Sequence, residues 1–329
     1  MADTRRVLVT GTAGFIGFHI AQLLMKEGFR VHGFDGMTDY YDVTLKDRRH
    51  QMLMQTPGFS KTEAMLEDTA AFDAMADEFE PQIIIHLAAQ AGVRYSLENP
   101  RAYIDANVVG TFNVMEAARR HKVDHLLMAS TSSAYGANTE MPYREVMKTD
   151  TQLTIYAATK KATEAMGHSY AHLWNLPTTM FRFFTVYGPW GRPDMAPYIF
   201  TKALFEGRTI QLFNYGRQRR DFTFIDDIVA GVIGAIGRPL DIDNERAAHR
   251  IYNLGNNNAE ALEDFVSALE IATGKQAILE RVAAQPGDVV ETFADIARSK
   301  SELGFTPKTS MAAGLTTFVD WYRDYHAIT

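Results

Sequence analysis

The chain has 329 residues, 46% of them apolar and 22% charged, a balance that suits a folded globular protein of one large domain or two smaller ones sharing an interface. It contains no cysteine, which excludes disulfides, a thiolate nucleophile and cysteine-ligated metal centres, and makes an intracellular, cytoplasmic setting the plain expectation. A formal net charge of -7 argues against broad binding to nucleic acid, whose phosphates would repel the chain.

The first strand-like run, "RVLVT", starts so close to the N-terminus that it leaves no room for a signal peptide. No apolar run approaches the roughly 18 residues that would span a bilayer, so the expectation is a soluble chain with no membrane partner. Up to residue 185, the runs "RVLVTG", "RVHGFD", "QIIIHLA", "HLLMAS" and "TTMFRFF" alternate with longer amphipathic segments. That rhythm predicts an α/β fold, a Rossmann-type doubly wound parallel sheet with helices on both faces. Beyond Phe184, "YGPWGRPD" is rich in Gly and Pro, strands such as "IQLF" and "DFTFI" are short, and helices dominate the end. The expected organisation is a first domain over 1–185 built on this sheet, with later returns near 215–235 and 250–260, and a smaller, mostly C-terminal α+β substrate-binding lobe over 186–329.

At the end of the first strand, "GTAGFIG" supplies Gly11, Gly14 and Gly17 and runs straight into the apolar-periodic "FHIAQLLMKEG". A strand before, a helix after and Asp35 ending the next strand together match the dinucleotide-binding arrangement. Absent side chains let the backbone approach a pyrophosphate, and the helix N-terminus receives its charge. Asp35 would accept hydrogen bonds from the adenosine ribose hydroxyls and repel a 2′-phosphate, which favours NAD over NADP.

Further along, the strand "HLLMAS" ends in "TSSAYG", and the following helix carries Tyr156 and Lys160 one turn apart on one face. A free phenol titrates near 10, too high for a base at neutral pH, and an adjacent cation favours its ionised form. Such a pair can exchange a proton with a substrate hydroxyl near neutrality. His168 and His172 stand at i and i+4 on the same helix, but Ser169 replaces the glutamate of the protease motif and no third ligand suggests itself, so no metal site is expected.

The GxxGxxG spacing, "LEDT", "HLAAQAG" and the Tyr-x-x-x-Lys turn together resemble the extended short-chain dehydrogenase/reductase superfamily. The resemblance implies a cofactor site of Gly11, Gly14, Phe15, Ile16, Gly17, Asp35, Lys46, Asp68, Thr69, Leu87, Ala88, Ala89, Asn107, Tyr156 and Lys160. It also implies a catalytic set in which Tyr156 is the acid/base, Lys160 tunes it and holds the nicotinamide ribose, and Thr131 hydrogen-bonds the substrate hydroxyl. By the same resemblance the protein should be a homodimer that pairs helices near residues 98 to 121 and 155 to 174.

"RFFTVYGPWGRPDMAPYIF" and "GRQRRDFTFIDD" look like the sugar-nucleotide segments of extended epimerases, and nearly the whole chain, to "QPGDVVETFAD", looks most like UDP-glucuronate 4-epimerases. A UDP-sugar is therefore the implied partner. Arg220 is similar to the arginine that grips the diphosphate, where its planar fork suits phosphate oxygens. Ser132, Ser133, Thr185 and Arg192 are implied around the uronic carboxylate, with Arg94 and Asp288 as further substrate contacts. Decarboxylating relatives usually carry a glutamate at the place of Ser133, and 4,6-dehydratases an Asp-Glu pair at Ser132 and Ser133; neither acid is present. The readings kept beside epimerisation are a UDP-xylose-type decarboxylase, a 4-epimerase of a neutral or pentosyl UDP-sugar, and a noncatalytic NAD-binding protein. One departure from the epimerase pattern is Gly36, where an asparagine is common.

Overall fold

The computed structural model describes residues 4–236, 238, 247–284 and 289–328. They form two compact units. The first comprises residues 1–138, 145–182 and 229–252; the second comprises 139–144, 183–228 and 253–329.

The first unit is built on β1 (Arg6–Thr10), β2 (Arg30–Asp35), β3 (Phe59–Glu63), β4 (Ile83–His86), β5 (His125–Thr131) and β6 (Thr178–Phe183). With β11 (His249–Leu254) these make a seven-stranded sheet in the order β11-β6-β5-β4-β1-β2-β3. The pairs β3–β2, β2–β1, β1–β4 and β4–β5 are parallel, with Val7 opposite Val31 and Ile83. The order reverses between β1 and β4, and ligands of open α/β sheets bind at such a switch point, beyond the strands' C-terminal ends. All of β4, "IIIH", is buried, as a central strand covered on both faces must be.

Between the strands run α1 (Phe15–Lys26), α2 (Val43–Met54), α3 (Thr69–Phe79), the short α4 (Tyr95–Glu98) and α5 (Pro100–Tyr103), α6 (Gly110–Arg120) and α7 (Ile155–Trp174). On one side of the sheet Leu8, Phe34, Ile84, Leu126 and Met180 pack with Phe72, Met75, Val114, Met115 and Tyr170 from the helices. Thr154 starts α7 by accepting a hydrogen bond from Ala157 N at 3.2 Å, and Asn175, in the left-handed conformation at φ 51°, ends it. That cap places Tyr156 in the first helical turn.

In the second unit, β7 (Thr185–Tyr187) pairs in parallel with β10 (Phe222–Phe224), and β8 (Thr209–Leu212) with β13 (Ile278–Arg281). The two-residue β9 (Arg219–Arg220) lies between β12 (Glu260–Ala261), antiparallel, and β14 (Glu291–Thr292), parallel. The remaining helices are α8 (Ala196–Glu206), α9 (Ile225–Ile236), along which the chain passes back to the first unit, α10 (Leu262–Thr273), α11 (Ala297–Leu303) and α12 (Met311–His326). Aromatic contacts hold the second unit together, among them Phe222 stacked on Phe265 at 4.3 Å and Tyr198 edge-on to Tyr322 at 5.1 Å.

The sheet is the predicted doubly wound one, but it has two strands more than the five marked by apolar runs. β3, "FSKTE", is an edge strand in which four polar residues follow a single apolar one, Phe59, so it lacks an apolar run. β11, "HRIYNL", falls in a stretch where the chain returns to the first unit.

Candidate active site

Beyond β1 the backbone turns through Gly11 at φ +83°, where a Cβ would lie 2.8 Å from Ala88 N. At Gly17 a Cβ would come within 2.1 Å of Gly11 O, so only glycine lets α1 close on the turn. Gly14 caps α1 with no side-chain hydrogen bond, which leaves the first-turn N–H groups to an anionic ligand. The cradle fits a pyrophosphate.

Asp35 closes β2. Its Oδ2 accepts from Ala13 N and its Oδ1 from Met37 N, both at 2.9 Å, and a carboxylate so held has lone pairs left for two hydroxyls. Lys46, buried on α2, donates to Thr38 O at 2.5 Å and lies over the Tyr41 ring at 4.6 Å. One turn on, buried Arg49 donates to Ala13 O at 2.7 Å and so braces the glycine turn. Asp68 caps α3 through Ala71 N at 3.0 Å, and Thr69 Oγ1 donates to Asn113 Oδ1 at 3.3 Å. Next to Asp35, a Cβ on Gly36 would meet Met65 Sδ at 2.5 Å. The methionine sulfur thus takes the space an asparagine would enter.

Leu87, Ala88 and Ala89 leave β4 under control of Thr10, whose Oγ1 accepts from Leu87 N and Ala88 N at 3.1 Å each. With both lone pairs engaged, the Thr10 hydroxyl donates to His86 Nδ1 at 2.7 Å, which leaves Nε2–H to donate to Thr111 Oγ1 at 2.9 Å. Burial, and the charge of Lys160, push the His86 imidazolium pKa down to about 3, so the ring is neutral. Asn107 accepts from Gln90 N at 2.8 Å and donates to Gln90 O at 3.0 Å and to Thr159 Oγ1 at 3.1 Å. It lies in a π-helical stretch, Ile104–Val109, that interrupts the helix leading to α6. That amide fastens the loop after β4 to the helix of Tyr156 and Lys160.

Lys160 is fully buried; its Nζ donates to Ala129 O at 2.9 Å, two residues before Thr131, and burial lowers its pKa to about 8. Tyr156 is half-buried, its ring edge-on to Tyr103 at 6.0 Å. Tyr103 in turn donates to Ala91 O and Gly92 O, at 3.0 and 2.5 Å. Thr131, at the C-terminal end of β5, accepts from Ser133 N at 3.1 Å and starts a 3-10 turn, Ser132–Tyr135, with Ser132 and Ser133 half-buried. The first unit therefore gathers Thr131, Tyr156 and Lys160 with Gly11 to Gly17, Asp35, the loop after β4 and Asn107. Arg94 stands exposed at the start of α4.

In the second unit Thr185 opens β7 and pairs with Phe222. Arg192 is held on Asp194, with Nε 3.0 Å from Oδ1 and Nη2 on Oδ2, so a substrate carboxylate would share this guanidinium with Asp194. Arg220, on β9, donates through Nη1 to Arg219 O at 2.9 Å and to Val290 O at 3.1 Å. Behind it Asp221 is fully buried and accepts from Asn256 N, Asn257 N, Ala294 N and Thr223 Oγ1 at 2.5, 3.0, 3.1 and 2.9 Å. Burial lifts its carboxyl to about 6 despite those four donors. Asp288 lies outside the described residues.

Residue-type patterns do not single out Thr10, Arg49, His86 or Asp221, because each acts on backbone or on another side chain rather than in a motif. Arg49 had one signal: it follows Lys46 by three on the same helix, the spacing of a shared face.

A glycine cradle, an aspartate closing the second strand and a Tyr–Lys turn on one doubly wound sheet define a dinucleotide-dependent enzyme. Over residues 7–255 the chain matches the NAD dependent epimerase/dehydratase family, and it belongs to that family. It is 51% identical to a probable UDP-glucuronate 4-epimerase of Rhizobium meliloti (strain 1021), over 96% of either chain. It is 40% identical to UDP-glucuronate 4-epimerase 3 of Arabidopsis thaliana, over 98% of this chain and 78% of the plant one. Among solved structures, UDP-glucuronic acid 4-epimerase from Bacillus cereus in complex with UDP-glucuronic acid and NAD superimposes with a TM-score of 0.89 at 31% identity, over 97% of this chain and 99% of that one.

Proposed function

We propose that this enzyme interconverts UDP-glucuronate and UDP-galacturonate by NAD-dependent epimerisation at C4. The observation that carries this reading is the turn after β5: hydroxyls at Thr131, Ser132 and Ser133, with no acid among them, follow the strand that holds Lys160. The similarity to UDP-glucuronate 4-epimerases over nearly the whole chain supports it. Bound NAD supplies the hydride acceptor and returns the hydride within the same turnover, so no outside reductant is consumed.

The chain's own residues do the rest. Gly11, Gly14 and Gly17 hold the pyrophosphate, and Asp35 takes the ribose hydroxyls. Tyr156 Oη accepts the proton of the C4 hydroxyl as C4 is oxidised, with Thr131 Oγ1 positioning that hydroxyl. Lys160, positively charged at neutral pH, stabilises the phenolate. Once the 4-keto sugar presents its other face, Tyr156 gives the proton back. Oxidation at C4 makes a β-keto acid, which loses carbon dioxide readily if its carboxylate is stripped of hydrogen bonds. Ser132, Ser133, Thr185 and Arg192 are assigned to hold that carboxylate, and Arg220 to grip the diphosphate.

A cytoplasmic homodimer is part of the proposal. In the first unit Val109, Phe112, Leu173 and Trp174 are exposed apolar side chains on α6, α7 and the π-helical stretch, between 41% and 62% accessible. Such a surface suits a two-fold partner.

Proton NMR of UDP-glucuronate incubated with the purified protein, without added reductant, tests the reaction. New anomeric signals of UDP-galacturonate are the expected result. A UDP-pentose instead would make the enzyme a decarboxylase, and no change would direct the test to neutral UDP-sugars.

A further inference from the structure

A buried ion pair joins the catalytic helix to β6, the neighbour of the strand whose end carries the hydroxyl turn. Glu164 lies on α7 one turn beyond Lys160 and two beyond Tyr156, and it is 2% exposed. Its partner Arg182, on β6, is 1% exposed. The contact is bidentate: Arg182 Nε donates to Glu164 Oε1 and Nη2 to Oε2, both at 2.8 Å. Ser130 Oγ donates to the same Oε1 at 2.6 Å, and Lys161 Nζ to Oε2 at 3.3 Å. Burial pushes the Glu164 carboxyl up, but the bonds from Arg182 and Ser130 outweigh it and leave the group below the usual carboxylate range, ionised at neutral pH.

The geometry grips both ends of one short segment. Ser130, bound to Glu164, immediately precedes Thr131. Tyr135, which ends the 3-10 turn, is fully buried with its ring beneath the Arg182 guanidinium at 4.6 Å. Between these points Gln152 Nε2 donates to Ala134 O at 3.0 Å, and just beyond them Gly136 is kept bare because a Cβ there would lie 2.1 Å from Thr151 O. Inside the gripped segment stand three successive hydroxyls, Thr131, Ser132 and Ser133, the first of them accepting from Ser133 N at 3.1 Å. The same carboxylate is anchored to the helix of Tyr156.

We propose that Glu164 and Arg182 are positioning residues that set the pose of the Thr131–Ser133 hydroxyls relative to Tyr156, and thereby select epimerisation over loss of carbon dioxide. The proposal rests on the function given above. In the competing path the C5–C6 bond of the 4-keto sugar breaks, its electron pair passes into the C4 carbonyl as an enolate, carbon dioxide leaves, and a proton from water returns to C5. That path needs the C5–C6 bond aligned with the carbonyl, and a carboxylate held elsewhere by fixed hydroxyls does not reach the alignment. A displacement of about 1 Å is enough to change such rates by about 100-fold.

The test uses the holoenzyme and UDP-glucuronate labelled with carbon-13 at C6. Labelled carbon dioxide and the anomeric protons of the sugar products are followed by NMR in the parent, Glu164→Gln and Ser130→Ala. Glu164→Gln should raise the ratio of carbon dioxide to UDP-galacturonate by about tenfold or more, and Ser130→Ala should raise it less, in the same direction. A slower variant with the parent's product ratio would reduce the pair to a stability role and overturn the proposal. If Glu164→Gln does not fold, Ser130→Ala, which keeps the ion pair, decides alone. A parent that forms no UDP-galacturonate would instead sink the function on which the inference stands.

Discussion

Lys160 carries two opposed demands on one side chain. Its buried ammonium donates to Ala129 O, and desolvation lowers its pKa from 10.5 to about 8. Below pH 8 both folded and unfolded chains hold the proton, and the folded state bears a penalty of about 3 kcal/mol for the buried charge. Between pH 8 and 10.5 the folded chain has released the proton that the unfolded chain keeps, so this penalty fades as pH rises. Lys160→Met should therefore melt higher than the parent at pH 7, by an amount that shrinks above pH 8, while turnover is lost. A variant that melts lower at pH 7 would contradict the burial cost. Tyr156→Phe separates chemistry from binding at the neighbouring position: turnover should fall by about 10²–10⁴-fold, the usual worth of a general acid/base, while the NAD released on denaturation stays at the parent's amount. Full activity in that variant would remove Tyr156 from proton transfer. At Arg220, replacement by Ala should raise KM for the UDP-sugar more than it changes retained NAD; an unchanged KM would take Arg220 out of the diphosphate site.

The elements that speak through a repeat or a fixed spacing were legible; those that act through a partner distant in sequence were not. β1, the glycine turn, α1 and Asp35 announce themselves because each needs a particular residue at a particular offset, and the structure explains the offsets by contact: a Cβ at Gly17 would fall 2.1 Å from Gly11 O. Gly17→Ala must move either the turn or α1, an overpacking that costs about 1–3 kcal/mol or more. A lower melting temperature and a loss of retained NAD are the expected readings, and an alanine variant that keeps its full complement of NAD would show that the close approach is dispensable. By contrast β3 is a strand because β2 offers it a partner, with Val31 opposite Phe59, and its own five residues carry no apolar period. The π-helical turn at Asn107 is equally silent in sequence, although it seats the amide that links Gln90 to Thr159. Asp221 and the Glu164–Arg182 pair are legible only after folding, since Asp221 holds Ala294 N from 73 residues away and 18 residues separate Glu164 from Arg182.

At the scale of the whole molecule the open question is what covers the apolar side chains of α6 and α7. Within the first unit these helices are already joined by Tyr170 Oη donating to Glu116 Oε1 at 2.6 Å and by Arg119 lying 5.2 Å over the Trp174 ring. Their contact with each other is thus satisfied, yet Phe112 remains 46% and Leu173 62% exposed. A stable interface buries about 1,200–2,000 Å² in total, more than a few isolated side chains supply, so a two-fold pairing has to engage both helices along their length. The mass in solution should then be twice the 36.9 kDa of one chain. Phe112→Asp and Leu173→Asp together would place two carboxylates per chain in the interface, where an unpaired buried charge is strongly unfavourable. Light scattering coupled to size exclusion should show the double variant as a monomer that still binds NAD, because the glycine turn, Asp35 and Lys160 all lie within one chain. A double variant that keeps the parent's dimeric mass would place the interface on another face, and a parent of 36.9 kDa would show that this surface is left without a partner in solution.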